Sequence, residues 1–247
     1  MSELANFFFN RDHRLIHKWN HYFEIYERHL NHLRDSKINL LEIGISHGGS
    51  LQMWDHYFKG NAMIYAVDIN PECKKFESGN VKVFIGSQED KDFLQHLKSS
   101  TPPVDVLIDD GGHTMKQQIT TFETLFDHVN DNGIYICEDT HTSYWKHFGG
   151  GYKKKRSFIE YSKNFIDYIN AWHTENKRTL YVTDFTRSVY GLHFYTGMVL
   201  IEKKKMKEPV DIRKGEITVG YIEYKAQKRE SFLKQVKKKI KKISNKE

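Results

Sequence analysis

The sequence predicts an α/β fold: a mostly parallel sheet with helices on both faces and an antiparallel last strand. Three observations lead there. The 247 residues fit one decorated domain, since a single core grows to roughly 250 residues. From Lys37 onward, short β-branched and apolar runs alternate with longer mixed segments, which is the rhythm of βαβ units. Two closing apolar runs are separated only by Thr196-Gly197, so they read as an antiparallel hairpin.

The elements follow in order. Residues 1–36 form an N-terminal helical cap, in which 10–34 (NRDHRLIHKWNHYFEIYERHLNHLR) reads as a polar, aromatic, histidine-rich helix. His17, His29 and His32 there, and His47 beyond it, read as surface residues. The methyl-rich strand runs are INLLEIG (38–44), AMIYAVDI (62–69), VKVFIG (81–86), VDVLIDD (104–110) and GIYICED (133–139). Segments 49–59, 89–98 and 115–129 have helical lengths between them. Residues 157–173 set Phe158, Tyr161, Phe165, Tyr168, Ile169 and Trp172 at helical spacing. Runs 188–195 and 198–203 complete seven strands and a domain spanning 37–205. Segment 206–247 is a basic C-terminal extension, lysine-rich after about Val210.

The net charge of +6 belongs to the end of that extension. Residues 231–247 hold seven lysines and one glutamate, so residues 1–230 sum to zero. A nucleic-acid-binding domain spreads its basic residues over a folded face, and this chain is therefore not expected to bind nucleic acid. No run of 18 apolar residues predicts a membrane-spanning helix, and the start MSELANFFFNRDHR does not read as a signal peptide. Cys73 and Cys137 are too few for a disulfide framework and lack metal-ligand spacing, which points to a reducing, cytoplasmic setting. An aromatic content of 14% is read as core filling rather than sugar stacking.

In an open α/β sheet, ligands bind beyond the carboxyl ends of the strands. The first such end is Glu42-Ile43-Gly44-Ile45-Ser46-His47-Gly48-Gly49-Ser50. Glycines let the backbone approach a ligand, and a helix start offers free N–H groups. The pattern does not match the G-x-G-x-x-G that seats a pyrophosphate, which disfavours a nicotinamide enzyme. Asp68 closes the second strand, 24 residues beyond Gly44, at the distance where an acid holds ribose hydroxyls. Gly86-Ser87-Gln88 closes the third. The fourth and fifth strands end in Asp109-Asp110-Gly111-Gly112-His113 and Glu138-Asp139-Thr140-His141. Crowded carboxylates repel and raise one another's pKa, and a divalent cation relieves this. An oxygen-rich donor set favours magnesium, manganese or calcium over zinc.

The first loop resembles the E-x-G-x-G-x-G loop of class I S-adenosylmethionine-dependent methyltransferases, with Ser46 replacing the middle glycine. The pairing of I-D-D-G-G-H with C-E-D-T-H-T-S-Y-W is similar to the metal-dependent sugar O-methyltransferases of the macrocin and mycinamicin type, with the rhamnosyl O-methyltransferase and cephalosporin-hydroxylase-like group. The resemblance covers roughly residues 14–203, including Lys18, His21, Tyr22, Tyr26-Glu27-Arg28, H-F-Y near 193 and V-L-I-E-K at 199. It implies the Rossmann-like class I methyltransferase fold, S-adenosylmethionine and Mg2+ or Mn2+ as cofactors, and a sugar-containing acceptor. By position it implies that Asp110, Glu138 and Asp139 ligate the metal and that His113 is the general base. It places the cofactor on Glu42, Gly44, Ser46, Gly48, Ser50, Asp68, Ser87, Gln88 and Asp109. Ser87 stands where an aspartate is common, so adenine contacts depart most from the pattern. His141, Tyr144 and Trp145 would shape the acceptor pocket, with His21 and Tyr22 joining through the resemblance alone.

Two alternatives stay open: a metal-dependent O-methyltransferase of a catechol-like small molecule, and a non-catalytic Rossmann-like binding subunit. Gly149-Gly150-Gly151 followed by Lys153-Lys154-Lys155-Arg156 reads either as a mobile flap or as a solvated loop. In the tail, Phe232, Leu233, Val236, Ile240 and Ile243 recur at helical spacing. A basic amphipathic helix of this kind either lies on an anionic membrane surface or packs on its own domain or a partner subunit, as in a homo-oligomer.

Overall fold

The computed structural model describes residues 2–12 and 14–220. The expected amphipathic helix within 231–247 therefore lies outside the described residues. Residues up to Pro209 form one compact unit; residues 210–220, described by themselves, are exposed and carry no helix or strand.

Seven strands are present among the described residues: β1 (Ile38–Ile43), β2 (Ala62–Asp68), β3 (Val81–Ile85), β4 (Val104–Asp109), β5 (Val129–Cys137), β6 (Val189–Tyr195) and β7 (Met198–Lys203). Their spatial order is β3-β2-β1-β4-β5-β7-β6. Strands β1 to β5 pair in parallel, and β7 runs antiparallel to both β5 and β6. The register is level at the carboxyl ends: Ile43 faces Val67 and Asp109, and Asp109 faces Cys137. The loops after β1, β2, β4 and β5 therefore leave the sheet side by side.

Alternate residues of each strand feed two cores, as a pleat covered on both faces requires. Leu40, Ile64, Ile108, Ile136 and Leu200 pack against α1 (Glu3–Asn10), α2 (Tyr22–Leu30) and α3 (Gly49–Tyr57). Leu41, Val67, Leu107, Tyr135 and Val199 pack against α4 (Lys91–Ser100), α5 (Met115–Leu125), α6 (Phe158–Ser162) and α7 (Asn164–Ile169). Tyr22, Phe23, Tyr26, Trp54, Tyr57 and Phe58 are almost completely enclosed, so the aromatic content does fill the core.

Four local expectations are corrected. Segment 10–34 is not one helix: α1 ends at Asn10, α2 begins at Tyr22, and the described residues between them form an extended strap. Ile16 and the Lys18 side chain are the buried parts of that strap, and its polar groups bond to other elements rather than to a helical turn, as Arg14 N–H does to Gln52 Oε1. His29, expected on the surface, is buried against the last strands. Segment 157–173 breaks at Lys163 into two short helices, of which Phe158 and Phe165 reach the core. The triglycine segment is not an open flap: Gly150 and Gly151 N–H groups bond to the Trp145 and Ser143 carbonyls, and a Cβ on Gly150 would lie 2.4 Å from the Ser143 oxygen.

Candidate active site

A cavity of about 560 Å³ opens over the carboxyl ends of β1 to β5. Its β1–β3 half is shaped by backbone. Gly44 has φ +88°, and a Cβ there would lie 2.1 Å from the Asp110 carbonyl oxygen, so only glycine lets the first and fourth loops meet. Asp68 fixes the loop: its Oδ2 accepts the Ile45 and Ser46 N–H groups at 3.0 and 2.9 Å, and its Oδ1 accepts Asn70 N–H. Ser46, Ser50, Ser87 and Gln88 also line the cavity.

Glu42, Gly48 and Asp109, expected at the cofactor, stand behind that lining. Glu42 is fully enclosed and accepts the Ser50 hydroxyl and the Trp54 indole N–H. Gly48, at φ +70°, starts α3 against the Phe76 ring. Asp109 accepts Gln88 Nε2 at 2.8 Å, while Gln88 Oε1 accepts Gly112 N–H at 2.7 Å. These three position the loops that face the cavity.

The β4–β5 half is shaped by charge. Asp110, His113 and Asp139 bring one ligand atom each to within 4.8 Å of one another. His113 Nε2 lies 3.9 Å from Asp110 Oδ1 and 3.6 Å from Asp139 Oδ2. His113 and Asp139 both hold left-handed backbone, φ +57° and +51°, a conformation that persists in non-glycine residues where surrounding bonds impose it. Here Thr142 supplies one, its hydroxyl donating to the His113 carbonyl at 2.8 Å.

The strap closes this half with a residue whose chemical place the sequence did not disclose. Lys18 Nζ donates to Asp110 Oδ2 at 2.6 Å and to Glu138 Oε2 at 2.8 Å, with its side chain 2% exposed. Tyr26 donates to the other Glu138 oxygen. Asp139 Oδ1 accepts the Trp19 indole at 3.1 Å and the Tyr22 hydroxyl at 3.0 Å. Lys18 was legible only as part of a family-like segment, because nothing along the chain relates position 18 to 110 or 138.

Burial pushes Glu42 up to about 6, Asp109 and Asp110 to about 7 and Glu138 to about 8. Burial works against the Lys18 charge as well, but Asp110 and Glu138 outweigh it and hold its pKa above the usual range. One ammonium among these acids leaves the cluster short of positive charge. The donor set fits a magnesium-type ion: Asp110 Oδ1 and Asp139 Oδ2 face the same space, and such ions bind through one or two carboxylates while keeping several waters. Glu138, expected as the third ligand, has both oxygens engaged by Tyr26 and Lys18. Burial lowers the His113 pKa and keeps its imidazole neutral.

His141, Trp145 and Trp19 form an aromatic rim beside Asp139, with ring centroids 5.4 Å apart for His141–Trp19 and 4.8 Å for His141–Trp145. Trp145 and Tyr144 are about half exposed, and neither they nor His141 line the cavity itself. His21 and Tyr22 are placed otherwise. Tyr22 is enclosed, with its hydroxyl 2.7 Å from the Gly197 carbonyl as an alternative acceptor to Asp139, and His21 Nε2 bonds to the Thr196 carbonyl, so both tie the strap to the β6–β7 turn.

Residues 41–140 match a family described as a methyltransferase domain. The chain carries a methyltransferase domain. This domain has the class I Rossmann-like methyltransferase fold. The chain is 32% identical over 191 residues to 8-demethyl-8-alpha-L-rhamnosyl tetracenomycin-C 2'-O-methyltransferase of Streptomyces olivaceus, covering 74% of this chain and 50% of the relative. It is 33% identical over 188 residues to demethylmacrocin O-methyltransferase of Streptomyces fradiae, covering 72% and 47%. A solved structure of the MycE methyltransferase from the mycinamycin pathway, in complex with Mg and SAH, superposes with a TM-score of 0.73 at 29% identity, over 83% of this chain and 54% of that one. The domain thus resembles the macrocin- and mycinamicin-type sugar O-methyltransferases, and the chain spans about half the length of the curated relatives it matches.

Proposed function

We propose that the chain is an S-adenosylmethionine- and magnesium-dependent O-methyltransferase acting on a sugar hydroxyl of a glycan, glycolipid or glycosylated natural product. The observation that carries this reading is the single cavity in which the Gly44–Ser50 loop, Asp68 and Gln88 run without a break into Asp110, His113 and Asp139. Its volume suits a cofactor-sized ligand. The activities for which the relatives are named and the MycE complexes with Mg and SAH, one also holding mycinamycin VI, support the same chemistry.

When bound, the sulfonium cofactor supplies an electrophilic methyl group and the divalent ion acidifies a nearby hydroxyl. Asp110 and Asp139 would hold that ion, with Glu138 behind them and its charge offset by Lys18. His113 Nε2, neutral and beside both ligating oxygens, accepts the hydroxyl proton. The Gly44–Ser50 loop with Asp68 would hold the methyl donor and the Asp110–Asp139 half the hydroxyl, and their shared cavity would bring the two together. The strap and the Trp19–His141–Trp145 rim exclude water and position the acceptor, by apolar contact with a sugar face. The unpaired thiols of Cys73 and Cys137 support a reducing, cytoplasmic setting.

The test is transfer of labelled methyl from S-adenosylmethionine to a panel of glycosides and catechols, with chelator and then with added Mg2+. Metal-dependent labelling of glycosides is expected. Labelling of catechols alone would replace the sugar reading with a small-diol one.

A further inference from the structure

Away from the cavity, three stretches that methyl transfer does not use converge: the end of α2, H-F-Y in β6 and I-E-K in β7. His29, His193 and Glu202 each bring one ligand atom to within 4.8 Å of the others. His29 Nδ1 is 2.9 Å from Glu202 Oε1, and His193 Nε2 is 3.5 Å from Glu202 Oε2. Glu202 pairs with Ile134, three residues back from Cys137. The group thus lies about 10 Å down the strand from the carboxyl ends that carry Glu138 and Asp139.

Hydrogen bonding accounts for His29 but not for His193. The His29 Nε2 atom is bonded to the Tyr195 hydroxyl at 2.8 Å and its Nδ1 faces Glu202. His193 Nε2 is shielded from solvent and has no well-aligned hydrogen-bond partner, its near acceptor being Glu202 Oε2 at 3.5 Å, a costly condition for an imidazole nitrogen. The missing side chain at Gly191 keeps the space around it open, since a Cβ there would lie 3.1 Å from Glu202 Oε2 and 3.3 Å from His193 Nε2.

We propose that His29, His193 and Glu202 bind a divalent transition metal of the zinc type, separate from the oxygen-rich centre. Tetrahedral Zn2+ with bonds of about 2.0–2.2 Å sets its donor atoms about 3.3 Å apart; one donor atom from each of the three residues lies within 4.8 Å of the others, with the two imidazoles facing different Glu202 oxygens, an arrangement that a small side-chain adjustment closes to that spacing. Two imidazoles and one carboxylate prefer such an ion to magnesium. Burial lowers the His29 pKa and favours its neutral, ligating form. The Tyr195 hydroxyl on the far nitrogen fixes the ring, as outer partners of metal-bound histidines do. Side chains of His193 and Glu202 are 34% and 30% exposed, so the group lies close to the protein surface. The ion would clamp α2 to the sheet edge, and α2 carries the Tyr22 and Tyr26 hydroxyls that hold Asp139 and Glu138.

The test titrates Zn2+ alone into the full chain kept in excess Mg2+, with metal content measured after gel filtration and a parallel Co2+ titration read by visible absorption. One retained equivalent of zinc, a tetrahedral cobalt band and a raised melting temperature are expected. His193→Ala and the isosteric Glu202→Gln should lose all three while keeping the wild-type circular dichroism, and Asp139→Ala should keep all three. Absence of retained zinc in the wild type, full retention by either His193→Ala or Glu202→Gln, or loss in Asp139→Ala would overturn the proposal.

Discussion

The two halves of the cavity are built by different means. Around β1–β3, main-chain amides anchored on Asp68 and a glycine at φ +88° define the walls. Around β4–β5, buried side-chain charges do so, with one lysine set between two acids. Walls made of backbone depend on conformation and, here, on the one Asp68 carboxylate that anchors them. Walls made of buried charge fail when one partner is removed, because the desolvation cost of the other remains. The comparison predicts that substitutions in the second half uncouple catalysis from cofactor binding.

The largest effect is expected for His113→Ala, which removes the only imidazole among the described residues within 4 Å of both the Asp110 and Asp139 carboxylates, at 3.9 and 3.6 Å from Nε2. Methyl transfer should fall by about 10²–10⁴, the usual contribution of a general base, while S-adenosylmethionine affinity by calorimetry stays within about threefold. Asp139→Ala should likewise abolish transfer and also weaken Mg2+ binding. Loss of cofactor affinity in either variant would mean that the two halves are not separable.

Removing the strap's ammonium comes next. Lys18→Met leaves Asp110 and Glu138 without their shared partner, and unpaired buried charges cost up to about 3–5 kcal/mol. Protonation of the acids moderates this, and bound Mg2+ should moderate it further. Thermal melts of Lys18→Met should therefore show a larger deficit in chelator than in magnesium; equal deficits would remove Lys18 from the charge balance.

Acidity gives a related expectation. Asp110 and Glu138 are raised from 3.8 and 4.5 to about 7 and about 8, so the native metal-free protein holds protons that the unfolded chain has released. Their contribution to stability is whole below about pH 4 and is lost progressively as pH rises from there to about 8. Melting temperature in chelator should fall across that interval. Magnesium favours the ionised carboxylates, so its affinity should rise by up to about tenfold per pH unit for each proton displaced. A metal-free melting temperature that climbs toward pH 8 would contradict the buried-acid assignment.

The sheet was legible because each parallel strand is a short apolar run closing on Gly or an acid, a pattern set by burial on both faces. The positions of Asp68, Asp110 and Asp139 followed from strand ends alone. Three features were not legible. The strap between Asn10 and Tyr22 looks helical in composition, yet its conformation is fixed by partners more than 30 residues away, Gln52 and Asp110 among them. Lys18 carries no local signature of the acids it meets. His29 sits among polar neighbours in sequence and is buried only because β6 and β7 return to α2.

The smallest effect tests the backbone half. Ser46 stands where a glycine is usual in such loops, and it holds φ +46°. Its N–H donates to Asp68 and its carbonyl accepts the Cys73 thiol, bonds that any residue supplies. Left-handed backbone costs a residue with a Cβ roughly 1–2 kcal/mol, and the greater freedom of glycine in the unfolded chain offsets about 0.5–1 kcal/mol of the gain. Ser46→Gly should therefore change stability by no more than about 1.5 kcal/mol, in the stabilising direction, and leave S-adenosylmethionine affinity unchanged. A severalfold loss of cofactor affinity in Ser46→Gly would show that the hydroxyl itself holds the ligand, and that the β1–β3 wall is built by side chains as well as by the main chain.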